Sequence, residues 1–192
     1  SSKNKINIIL ETNQGYVFEE HNMKSHDLNI AELYNDDFEE INRHIIDKLN
    51  NAGKGVLLLY GKPGTGKTSY IKWLTTQVDS KFVFVPITMI NHISSPSFIG
   101  DLLENKGSVL VIEDCENYIQ DRSVSHNSIV SPLLQLTDGI LSDLLDIKII
   151  CTFNTDLTKI DPALMREGRL IAEYEFDELS ADKVEALSGG KY

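Results

Sequence analysis

Cysteine is nearly absent from this chain: Cys115 and Cys151 are the only two in 192 residues, and they form no CxxC pair. Neither a zinc site nor a disulfide framework is therefore indicated, and a reducing, cytoplasmic setting is the simplest home. The five histidines (21, 26, 44, 92, 126) have no metal-ligand spacing. Lysine and arginine form no block, and the net charge is −11. A nucleic-acid binder ordinarily carries a basic footprint, so nucleic acid is not an expected partner. Long apolar runs are missing as well. None approaches the ~20 residues of a membrane span, and the N-terminal SSKNKINIIL lacks a secretory pattern. The chain starts without Met and stops at LSGGKY, which leads to the expectation that it is a piece of a longer protein.

What is present suits one soluble domain with a substantial core: 41% hydrophobic and 24% charged residues. INIILET and YVFEEH flank NQG, which predicts a β-hairpin with a three-residue connection; the alternative is a loose extension. In NDDFEEINRHIIDKLNNAG the residues Phe38, Ile41, Ile45 and Leu49 fall at helical spacing, with Asn35 or Asp36 able to cap the start. From residue 55 strands and helices alternate. GVLLLY, KFVFVPI, SVLVIE, KIICTF and LIAEYEF read as strands. KTSYIKWLTTQV, PSFIGDLLEN, DPALMREG and a segment over 128–146 broken near Asp138-Gly139 read as helices. Strands apolar on both faces, alternating with helices, imply a parallel sheet covered on both sides. Ser180 is placed to cap a last helix, SADKVEAL.

GKPGTGKT (61–68) satisfies G-x-x-x-x-G-K-S/T and lies between a buried strand and a helix, where a phosphate loop must lie. Gly61, Lys62, Pro63, Gly64, Thr65 and Gly66 can curl so that backbone N–H groups converge on phosphate oxygens, and the helix N-terminus at Lys67, Thr68 and Ser69 adds its partial positive charge. Lys67 would reach the β/γ-phosphates, and the Thr68 hydroxyl would ligate Mg2+. VLVIEDCEN (109–117) reads as a buried strand delivering acids to the same site. One acid would serve the metal and another the attacking water; Glu116 is a weaker candidate for the latter or for supporting work.

Over residues 54–177 the chain resembles the AAA+ ATPases, in the AAA clade. The resemblance rests on the phosphate loop, VLVIEDCE, LLQLTDG and CTFNTDLTKIDPALMREGRL, in that order. It implies an α/β P-loop NTPase three-layer sandwich with a five-stranded parallel sheet in the order 5-1-4-3-2, preceded here by the small N-terminal hairpin. It also implies ATP or ADP with Mg2+ as ligands, and a homo-oligomeric ring, commonly a hexamer in the full-length protein, acting on a protein substrate that the sequence does not identify. By position Asn154 matches the polar sensor that helps orient the attacking water. Arg166 and Arg169 match the arginines offered to a neighbour's nucleotide, and Tyr34, Asn35 and Asp36 match the segment near the adenine. Aligned on the apolar run, Glu113 takes the metal-side place and Asp114 the catalytic-base place, reversing the more common Asp-Glu order. The family's mitochondrial translocase of respiratory-complex assembly has the same reversal.

The expected organisation is an N-terminal extension over 1–33, a nucleotide-binding core over 34–178, and over 179–192 the start of a truncated or missing helical lid. FIG (98–100) has the form of a pore-loop triplet but reads as helix packing, which leaves MINHISS (89–95) the better pore-loop candidate. Two functions follow: a ring-forming, Mg2+-dependent ATPase that remodels a protein, or a nucleotide-gated binding module with negligible turnover. A small-molecule P-loop kinase would leave DPALMREGR unexplained.

Overall fold

The computed structural model describes residues 3–24, 27–51, 53–123 and 128–189; His26 and His126 lie outside them. Strands β1 (Lys5–Thr12) and β2 (Gly15–Asn22) form an antiparallel hairpin. Its connection is Asn13-Gln14, one residue shorter than expected, because Gly15 already pairs with Thr12. Helices α1 (Ile30–Leu33) and α2 (Phe38–Asn51) follow; α1 is a single turn, too short to leave a periodic signal. The alternating part comprises β3 (Gly55–Gly61), α3 (Lys67–Gln77), β4 (Phe82–Phe84), α4 (Pro96–Glu104) and β5 (Val109–Ile112). It continues with α5 (Val130–Thr137), α6 (Gly139–Leu145), β6 (Lys148–Phe153), β7 (Leu170–Phe176) and α7 (Ala181–Ser188). DPALMREG forms only a 3-10 turn, Pro162–Met165, capped by the Asp161 carboxylate.

Among the described residues the sheet has seven strands, in the order β2-β1-β4-β5-β6-β3-β7. Numbered one to five along the chain, β3 to β7 stand in the expected order 5-1-4-3-2. The count is seven because the hairpin joins the sheet: β1 lies parallel to β4, with Ile6, Asn7 and Ile8 opposite Phe82, Val83 and Phe84. Without it, three-residue β4 would expose an unpaired backbone edge. Buried Asn7 donates Nδ2 to the Phe82 carbonyl at 3.3 Å. Tyr16 and Phe18 meet Phe98 of α4, with ring centroids 5.8 and 6.5 Å away. The hairpin is therefore held on its sheet side and its helix side. Phe98 is buried, as the helix-packing reading of FIG requires. In MINHISS, Ile90 and Ile93 are buried, and His92 Nδ1 is hydrogen-bonded to the Tyr16 hydroxyl at 2.8 Å.

Alternation along β3 builds both faces of the core. Val56 and Leu58 join the layer of Leu110, Ile112, Leu133 and Ile149, while Leu57 and Leu59 join that of Phe38, Ile45, Leu74 and Phe176. Each fully buried aliphatic side chain contributes roughly 1.5–3 kcal/mol. Truncating Leu58, which no solvent touches, to Ala would cost about 2–5 kcal/mol. The break between α5 and α6 falls at Gly139, whose φ is 80° and whose N–H is capped by Asp138 Oδ1 at 2.9 Å. No described helix is long and apolar enough to cross a membrane.

Candidate functional site

Strand β3, between β6 and β7, delivers the phosphate loop. At Gly61 the backbone has φ 128°, and a Cβ would stand 2.0 Å from the Phe176 carbonyl oxygen, so glycine alone fits there. Gly66 caps α3 with φ 96°, and a Cβ there would press on the Tyr34 hydroxyl at 3.1 Å. Lys67 is buried, and its Nζ donates to the carbonyls of Gly61 (2.9 Å) and Lys62 (2.8 Å). Burial pulls the Lys67 pKa down, opposed by the charges of Asp114 and Glu116. The amine is thus braced across the loop mouth by two carbonyls.

Glu113, Asp114 and Glu116 follow directly on the end of β5. Glu113 Oε1 accepts a 2.6 Å hydrogen bond from the Thr68 hydroxyl. One residue on, Asp114 has φ 54°; its N–H donates to Thr152 Oγ1 at 3.1 Å, and its Oδ1 accepts from Asn154 Nδ2 at 3.0 Å. Lys67, Thr68, Ser69, Asp114, Thr152 and Asn154 line one cleft of about 380 Å3 with Pro63, Gly64 and Gly66, and Glu113 adjoins it through Thr68. Glu116 also turns inward: its Oε2 is buried and has no hydrogen-bond partner among the described residues. Cys115 and Cys151 lie side by side in the core; a hydrogen bond to Cys151 and burial push the Cys115 thiol up, which leaves it unreactive.

A neighbouring cleft of about 540 Å3 continues from the loop. Tyr34, Asn35, Lys62, Thr65 and Ser69 line it, with apolar Leu28, Leu33, Phe176 and Val184. The Tyr34 hydroxyl donates to the Gly66 carbonyl at 3.0 Å, and burial pushes its pKa up to about 12. Asn35 does not cap α2 with its side chain. It spans the cleft rim instead, donating Nδ2 to Glu178 O (3.1 Å) and accepting from the Ser180 N–H (3.0 Å). Ser180 correspondingly makes no side-chain cap on α7. Asp36 turns away from the cleft and pairs with Lys183 at 2.8 Å. Across the rim Lys62 pairs with Glu178 at 3.2 Å.

The two arginines part company. Arg166 is exposed, and its side chain makes no hydrogen bond among the described residues. Arg169 is held within the chain: Nε and Nη2 donate to Asp138 Oδ2 at 3.0 and 2.6 Å, and Nη1 donates to the Ala163 carbonyl at 3.2 Å. The guanidinium hydrogen bond keeps the Asp138 carboxyl below its ordinary range. Sequence reasoning singled out neither Asp138 nor Thr152 as a functional residue. The available signals were an acid at a helix break and a hydroxyl inside the otherwise apolar KIICTF.

The donor set fits the Mg2+ that the phosphate loop implies. A hydroxyl and a carboxylate oxygen, both hard donors, already touch at Thr68 and Glu113, and Mg2+ commonly takes one or two protein ligands beside substrate phosphates.

Comparison with known proteins shows the family. The model of the AAA family, "ATPase family associated with various cellular activities", matches residues 57–178, more than half of the chain. AAA-ATPase At2g46620 of Arabidopsis thaliana is 32% identical over 132 residues, covering 68% of this chain and 26% of that protein. The "Probable mitochondrial chaperone bcs1" of Schizosaccharomyces pombe is 32% identical over 121 residues, or 59% of this chain and 26% of its own length. The 26S proteasome regulatory subunit 6B homolog of Saccharomyces cerevisiae is 31% identical over 139 residues, or 64% and 32%. The chain thus spans about a quarter to a third of these relatives. With the family model matched across the phosphate loop, the acidic strand end and the arginine-bearing turn, the chain belongs to the AAA family of ATPases.

Proposed function

We propose that this chain binds ATP with Mg2+ and hydrolyses it as the nucleotide-binding part of a homo-oligomeric, ring-forming protein that remodels a protein partner. The observation that carries the reading is the pair of contacts at one cleft: Thr68 with Glu113, and Asn154 with Asp114, both beside Lys67. Base and ribose would occupy the larger cleft beside Tyr34 and Asn35, and the phosphates the loop and the smaller one.

Thr68 and Glu113 would hold Mg2+, which when bound supplies neutralisation of phosphate charge. Lys67 would trade its loop carbonyls for the β/γ-phosphate oxygens, a stronger, charge-assisted partner. Asn154 holds Asp114 by one oxygen, Oδ1, leaving Oδ2 to accept a proton from water. Water oxygen then bonds to the γ-phosphorus and the bond to the β–γ bridging oxygen breaks. The bridging oxygen keeps the electron pair, giving ADP and inorganic phosphate. Arg166, exposed and without a side-chain hydrogen bond among the described residues, would complete a neighbour's site, where a guanidinium stabilises charge on the transferring phosphoryl group.

Phosphate release by the purified protein, followed against protein concentration with Mg·ATP, tests the reading. Activity is expected to rise more than linearly as subunits meet. Tight nucleotide binding without phosphate release at any concentration would return the chain to the nucleotide-gated binding module.

A further inference from the structure

The chain leaves the sheet abruptly after β5. Ile112 is the last residue of β5 paired with β6, opposite Cys151, and Thr152 then takes over the backbone that follows. The Thr152 side chain accepts the Asp114 N–H at 3.1 Å, and its carbonyl accepts the Cys115 N–H at 3.0 Å. One buried residue therefore grips two successive amides, one through its side chain and one through its main chain. Between those grips Asp114 is bent into the left-handed region, with φ 54°. Among non-glycine residues Asp and Asn enter that region most readily, because their short side chains relieve the steric cost. Glutamate has no such relief.

From this we propose that Thr152 is a positioning residue for Asp114, and that the Glu-Asp order of the acid pair follows from the bend Thr152 holds. The Thr152 hydroxyl oxygen fixes the Asp114 amide, the bend turns the Asp114 side chain toward the cleft, and Asn154, two residues further along the same stretch, meets that side chain at 3.0 Å. Backbone and carboxylate of Asp114 are thus oriented from one segment, 152–154. A Glu at 114 would carry its carboxylate one methylene further from a backbone that disfavours it, whereas position 113, outside the left-handed region, accepts Glu. This assignment rests on the ATP-hydrolysis reading for its catalytic consequence, but not for its geometry.

The test compares the parent with Thr152→Val, which keeps the branched shape and loses the acceptor, and with Thr152→Ser, which keeps the acceptor. Four quantities are measured: hydrogen exchange at the Asp114 amide, melting temperature, Mg·ATP affinity, and single-turnover hydrolysis. In Thr152→Val the Asp114 amide is expected to exchange about tenfold faster, the size of effect expected from one lost hydrogen bond. Hydrolysis should slow by about tenfold or more while Mg·ATP affinity stays within about twofold. Thr152→Ser should recover most of both losses. Unchanged exchange at Asp114 in Thr152→Val would overturn the proposal. So would a fall in affinity equal to the fall in rate with no rescue by Ser, the mark of a merely structural role. If the parent itself releases no phosphate, the ATPase reading fails, and the exchange measurement alone decides whether Thr152 holds the bend.

Discussion

The Thr68 hydroxyl donates to Glu113 Oε1 at 2.6 Å, joining the first turn of α3 to the end of β5 across the intervening strand β6. Two sequence motifs 45 residues apart thereby become one oxygen-donor site. Glu113→Gln is expected to weaken the Mg2+ dependence of nucleotide binding, since a neutral amide is a poorer partner for a hard cation. Calorimetric ATP titrations with and without Mg2+ would read this as a narrowed difference between the two conditions. An unchanged difference would remove Glu113 from the metal side.

Lys67→Ala should abolish nucleotide binding. Because Lys67 Nζ is tied to Gly61 and Lys62, the same change should also cost about 1–2 kcal/mol of stability, a small share of the total. Denaturant unfolding and ATP titration on one sample separate the two effects. Unaltered affinity would contradict the phosphate-loop assignment.

Arg166 and Arg169 should respond differently. Arg166→Ala is expected to leave the melting temperature unchanged and to reduce the concentration-dependent part of hydrolysis. Arg169→Ala should lower the melting temperature, because it strips Asp138 and Ala163 of their donor. Mixing Arg166→Ala with Lys67→Ala chains should restore activity, each supplying what the other lacks. Failure of rescue in demonstrably mixed oligomers would count against Arg166 acting across an interface.

The Asp138–Arg169 pair also makes a pH prediction. The folded-state pKa of Asp138 lies below its ordinary value, so the pair contributes stability above the usual carboxylate pKa of about 3.9, lost as pH falls through the lowered value. The melting-temperature gap between the parent and Asp138→Asn should therefore be open at neutral pH and close in acid. A gap independent of pH would mean that the pair contributes through packing alone.

Much of this architecture is local and could be read along the chain. GVLLLY and KIICTF are buried along almost their whole length and became adjacent interior strands, LIAEYEF alternates between buried and exposed residues as the edge strand β7, and GKPGTGKT carries its own geometry in its glycines. What escaped depends on distant partners. The docking of the hairpin needs β4 beside β1, a pairing between residues 6–8 and 82–84 that no local pattern encodes. Asn35 has the chemistry of a helix cap, yet Glu178 and Ser180, some 145 residues away, take its side chain. DPALMREGR shows two similar arginines, and it is the position of Asp138 in space that holds Arg169 and leaves Arg166 exposed.

The central claim is that Asp114, held by Asn154, positions and deprotonates the attacking water. Asp114→Asn nearly preserves shape and tolerates the left-handed backbone, but its amide cannot take the proton. Single-turnover hydrolysis of ATP by this variant, with nucleotide affinity measured on the same preparation, is the most direct test. Affinity should be kept, bound ATP should stay intact, and the rate should fall by ~10²–10⁴-fold, the typical loss on removing one general base. Hydrolysis at the parent rate, with Glu116→Gln the inactive variant instead, would contradict the account and move the base two residues along the chain.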